Sequence, residues 1–190
     1  MMDRRAMLGA MLACGLAATP AIAASGTILD RRTGATLQLS TRPWTLALDQ
    51  PHLAAHARDY IALYAVEINT AGKRGYHLAA FLWSTVPGRA QYAGDKPVLQ
   101  LRVGDRELTL DPSGRTPRDM GISQWPLKPP GHRAVLAIYE VDEALLRAMS
   151  TDVALQARPT SDRSLPEDVW FDVWRSGREA FADFCRRTLD

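Results

Sequence analysis

The sequence predicts a mainly β domain of the β-rich α+β class, an antiparallel β-sandwich-like sheet with a capped helix at the C-terminus. Three observations carry this expectation. Runs rich in β-branched and aromatic residues recur along most of the chain, turn residues separate them at short intervals, and the two clear helical patterns both stand late in the sequence.

The elements follow in order. Segments 27–29 and 35–40 flank the turn-rich Asp30-Arg31-Arg32-Thr33-Gly34 and read as a hairpin, with 44–48 as a third strand. Segments 60–68 and 76–83 form the strongest pair, separated by residues 69–75 with two glycines. Both faces of these two runs are largely apolar, which places them in the middle of a sheet covered on both sides. Between 98–103 and 106–110 apolar and polar residues alternate cleanly, and Gly104-Asp105 supplies the positive φ that a II′ turn needs at its first position. Segments 133–141, 153–157 and 169–174 complete the strands.

Asp142 and Glu143 put negative charge at the start of a helical run whose Leu145, Leu146 and Met149 share one face. The second helix opens with Ser176-Gly177-Arg178-Glu179, the pattern of a capping box. Phe181, Phe184 and Cys185 line its apolar face, and Arg186 and Arg187 complement its negative end. It reads as a lid across the sheet.

Ahead of these elements lies an export signal. Arg4 and Arg5 precede an apolar stretch from Ala6 to Ala18, Pro20 breaks the helix, and Ala21-Ile22-Ala23 offers small residues at the positions a signal peptidase reads. Cleavage after Ala23 leaves one β-rich domain, residues 24–190, in the periplasm. Arg4-Arg5-Ala6-Met7-Leu8 resembles a twin-arginine leader, which implies export of the folded protein, although an ordinary secretory leader fits the same residues. Met11-Leu12-Ala13-Cys14 resembles a lipoprotein box less closely; membrane contact is expected only if Cys14 is lipidated. Once Cys14 is removed, Cys185 is the single thiol, so no internal disulfide forms and a buried thiol is expected.

The chain has 190 residues, 46% hydrophobic and 23% charged, as ordinary globular proteins do. Without Arg4, Arg5 and Asp3 the balance is 21 basic to 20 acidic groups, which offers nucleic acid no electrostatic footprint. Glycine-rich phosphate loops and the Gly-x-Ser-x-Gly elbow are missing from the sequence, so neither a nucleotide cofactor nor a serine nucleophile is signalled.

Four candidate sites remain. The long segment 111–131, with five prolines, holds Met120, Ile122 and Trp125, a candidate apolar anchor for a partner. Asp49, His52, His56 and Asp59 recur at intervals of three and four. A helix over 51–58 would align them as ligands for a divalent metal such as zinc. His77 and His132 stand near strand ends, where an imidazole orients ligands or carries protons. Trp170 and Trp174, with Asp172 between them, face one side of their strand as a stacking surface for sugar or lipid.

The sequence thus favours an exported, non-enzymatic protein that binds an envelope protein or envelope ligand, with no cofactor. The alternative is a metal-assisted hydrolase built on the histidine stripe.

Overall fold

The computed structural model describes residues 26–86, 96–131, 133–152, 154–160 and 168–190; the leader, Cys14, His132 and Val153 lie outside the described residues. Ten strands form one curled, open, antiparallel sheet: β1 (Thr27–Leu29), β2 (Thr36–Leu39), β3 (Trp44–Asp49), β4 (Arg58–Thr70), β5 (Lys73–Ser84), β6 (Leu99–Val103), β7 (Arg106–Leu110), β8 (Val135–Glu140), β9 (Leu155–Pro159) and β10 (Phe171–Arg175). Helix α1 (Glu143–Thr151) follows β8, and α2 (Arg178–Thr188) ends the chain.

Strand β4 organises the whole. Its 13 residues pair with β5 along one edge, while the other edge is shared between β2 and β3. Leu39 pairs with Val66 and Trp44 with Leu63, so residues 40–43 stand opposite only residues 64 and 65. This irregular bulge of two extra residues bends the β2–β3 path. Ser40 holds the bend: its N–H donates to Ala65 O at 2.9 Å, and its Oγ accepts from Ala65 N at 3.1 Å. Beyond the bend the sheet divides. β1 continues from β2, whereas β10, β9, β6 and β7 continue from β3. The expected sandwich is therefore a single sheet that curls, because one long strand serves both layers.

The concave side holds the main core. Trp44, Leu63, Leu82, Leu101, Tyr139 and Phe171 meet α1 and α2 there through Leu146, Met149, Phe181 and Phe184. Each such large side chain contributes about 1.5–3 kcal/mol when fully buried. Tyr139 donates to Pro97 O at 2.7 Å and Trp44 Nε1 donates to Met149 O at 3.2 Å, so the buried polar ends of both rings are satisfied. Burial also pushes the Tyr139 phenol far above its ordinary range.

The convex side is covered in part by residues 111–131. Leu37, Leu39, Val66, Ile68, Ala79 and Ile138 form a second apolar cluster with Met120 and Ile122 of that segment. Asp30 latches it down, accepting from Ser123 N at 2.5 Å and Ser123 Oγ at 2.8 Å. The same carboxylate accepts from the amides of Arg32 and Thr33.

Several elements match the expectations closely. The β6–β7 hairpin turns at Gly104 (φ 56°), while Asp105 keeps a negative φ, as a II′ turn requires. Asp142 caps α1, its side chain accepting from Leu145 N at 2.8 Å. Two details differ. Strands β4 and β5 run on into the expected 69–75 link until only Ala71 (φ 52°) and Gly72 (φ 82°) form the turn; an alanine in a left-handed conformation leaves no signal in the sequence. The capping box at Ser176 does not close. Gly177 takes the cap position and Ser176 Oγ accepts from Arg178 N at 3.3 Å, because Gly177 is wedged against the backbone of Pro43 and Trp44.

Candidate functional site

The stripe Asp49, His52, His56 and Asp59 does not lie on a helix. Register between β3 and β4 continues to Asp49 opposite Arg58, so residues 50–57 form the loop of a hairpin. The expected helix fails for a tertiary reason: Leu53, which would anchor its apolar face, is 40% exposed, and so short a helix needs packing. Asp49 pairs with Arg58, His52 and His56 are exposed in the loop, and Asp59 is buried, accepting from Gln50 Nε2 at 2.9 Å. Among the described residues no three His, Cys, Asp or Glu side chains gather as metal ligands.

Met120 and Ile122 are buried at 5% and 2% exposure, and Trp125 is half-buried beside them. These side chains fix the segment to the convex sheet.

Trp170 and Trp174 lie on the open part of the convex face, and arginines cover them. The Arg102 guanidinium sits 3.8 Å over the Trp170 ring, and that of Arg58 sits 4.1 Å over Trp174. Charged groups on this face find partners across neighbouring strands: Arg58 with Asp49 and Arg102 with Glu107 as ion pairs, Arg158 with Gln100 and Asp172 with Gln156 as hydrogen bonds. It is a self-satisfied surface, the kind that meets water at little cost.

A different place leaves polar groups unmatched. At the turn end of the β4–β5 hairpin lies an open cleft of about 740 Å³, bounded by the hairpin, the end of β8 and the segment near Met120. That volume lies within the range of small-molecule sites. Ile68 and Met120 supply its apolar wall, while the side chains of Tyr76 and Val141 at its border pack against the main core. Lys73, Arg74, Arg115 and Glu140 supply charge, and His77 lines it from β5.

Each group is placed by register. His77 stands opposite Glu140 of β8, and Gly75 shares its face of β5 two residues away. The glycine leaves room, since a Cβ there would lie 3.1 Å from His77 Nε2. His77 is 6% exposed, and its Nδ1 is buried with no hydrogen-bond partner among the described residues. Burial pushes the imidazole pKa below its ordinary value; Glu140 opposes the shift and Arg115 adds to it, so the ring is neutral at pH 7.

The cations differ in how far they are engaged. Arg74 contacts Glu67 at 3.3 Å, a carboxylate nearly removed from water whose pKa burial raises even against that arginine. Arg115 stands 3.7 Å from Glu140 and donates to Asp119 O at 3.0 Å. Lys73 has no partner among the described residues.

The sequence singled out His77 and Met120 from this set, Met120 as part of a candidate anchor for a partner. No family model, curated protein or solved structure matches this chain significantly. Gly75, which the sequence assigned to the link over 69–75, lies within β5, where a glycine permits a close approach. Arg115 and Met120 come from 40 residues away, and only the folding of segment 111–131 brings them to the hairpin.

Proposed function

We propose that this is an exported, non-enzymatic binding protein of the bacterial envelope, and that its ligand sits in the cleft at the β4–β5 hairpin. The observation that carries the reading is His77: a buried, neutral imidazole with an unsatisfied nitrogen, lining an open cleft beside a glycine gap. A buried polar atom without a partner costs about 1–3 kcal/mol. A ligand or an ordered water offsets that cost, and the apolar wall favours a ligand.

Binding is preferred over catalysis because the lining of the cleft includes neither serine nor cysteine. The leader pattern supports the envelope location.

Native mass spectrometry tests the reading on protein purified from its host's periplasm without denaturation. The wild-type protein is expected to carry a small bound mass. Gly75→Val and Thr70→Trp, which fill the cleft from two sides, are expected to lose it while keeping their thermal transitions. A bound mass retained equally by both folded variants, or a protein recovered only from the cytoplasm with Met1 attached, overturns the proposal.

A further inference from the structure

We infer that the cleft selects an anion joined to an apolar body, such as an aliphatic carboxylate or an alkyl phosphate; this deepens the binding reading above and rests on it. Lys73, Arg74 and Arg115 border the cleft with one carboxylate, Glu140, and strand alternation turns Arg74 to the opposite face of β5 from Lys73 and His77. On the rest of the convex face the charged groups named above each meet a charge or an amide of a neighbouring strand, whereas Lys73 has no partner among the described residues.

Of the three, Arg74 is occupied by Glu67 and also reaches Thr188 O at 3.4 Å. Lys73 and Arg115 are the available charges. The Arg115 side chain is 49% exposed and only loosely held by Glu140, so its guanidinium can meet an acidic group with little desolvation. Excess positive charge in a concave site raises the local concentration of anions.

The rest of the ligand must be apolar. Ile68 and Met120, members of the convex-side cluster, present hydrocarbon to the cleft on the same face of the sheet as His77. An inorganic anion would leave that wall in water, and a wholly apolar molecule would leave Lys73 and Arg115 unused. The neutral ring of His77 completes the site by offering one hydrogen bond, as donor or acceptor according to tautomer.

Four probes that share one hydrocarbon chain separate the alternatives: octanoate, octyl phosphate, octan-1-ol and octylammonium, each titrated into isotope-labelled protein and followed by the amide resonances of Gly75, His77 and Met120. Octanoate and octyl phosphate are expected to bind at least about tenfold more tightly than octanol and octylammonium, and their ratio distinguishes carboxylate from phosphate. In the K73Q/R115Q double variant, both changes being at exposed positions, that preference is expected to fall to within about threefold. Equal binding of octanol, a preference for octylammonium, or an unchanged preference in the double variant overturns the anion inference and leaves the cleft as a binding site. Failure of all four probes to move the three resonances overturns the cleft reading as well.

Discussion

Gly75 and His77 stand two residues apart on one face of β5, and a methyl group added at Gly75 would meet the imidazole Nε2 at 3.1 Å. The absent side chain is what lets a buried histidine border an open cleft. The histidine is held neutral there by its surroundings, and that has a measurable effect on stability.

The His77 pKa is lower in the folded protein than in the unfolded chain, because burial disfavours the charged ring; Glu140 and Arg115, the charged groups that act on it, oppose each other. The unfolded state therefore takes up the proton first as pH falls. This contribution to stability is complete above the ordinary histidine value of about 6.5 and is lost progressively below it, down to the folded pKa. Urea midpoints between pH 7.5 and 5.5 should fall more steeply for wild type than for His77→Gln. Parallel slopes would show that the ring is not desolvated.

Asp30 carries the opposite kind of shift. Hydrogen bonds from Ser123, backbone first and then side chain, hold its pKa down to about 2, with the amides of Arg32 and Thr33 adding to them. Its latch is thus fully in place above the ordinary aspartate range and is released only as pH falls towards 2. Asp30→Ala should free segment 111–131 at neutral pH. Amide exchange at Ser123 and Ile122 is expected to accelerate by roughly an order of magnitude, while β4 and β5 stay protected.

At Gly177 the surrounding backbone decides the residue. A Cβ there would lie 2.5 Å from Pro43 C and Trp44 N, both main-chain atoms that cannot swing aside. Gly177→Ala should destabilise the protein by about 2 kcal/mol or more, read as a lowered urea midpoint, since α2 must back away from the β2–β3 bend. Gly34→Ala is the comparison: nothing lies within 4 Å of its Cβ, so only the strain of its positive φ (75°) is felt.

Cys185 is buried on the core face of α2, where desolvation raises its pKa and its Sγ contacts Leu146 O at 3.6 Å. A thiol kept protonated and out of solvent does not react. In a Cys14→Ala background, labelling by a disulfide reagent at pH 8 should proceed no faster than unfolding, and the rate should rise with urea along the unfolding curve.

The legible parts of the fold were those where local chemistry and tertiary packing agree. Alternation in β6 and β7, with Gly104 between them, names its own register; Asp142 ahead of Leu145, Leu146 and Met149 names α1. The histidine stripe misled because spacing alone cannot distinguish a helix from a hairpin loop. Pro51 suited both, and the pairing of Leu48 with Asp59 decided for the loop. Met120, Ile122 and Trp125 were recognised as apolar, but nothing local says whether an apolar loop residue faces a partner or its own sheet.

By itself, the sequence determined a β-rich chain with two late amphipathic helices, a two-residue turn at Gly104 and a core-bound thiol, because these depend on residues a few positions apart. Tertiary structure alone decided that β4 is shared by β2 and β3 across a bulge, and that Arg115 and Met120 meet Lys73 and His77. Such contacts join segments 40 residues distant, and they form only after hydrophobic burial on both faces of the sheet has fixed where each segment lies.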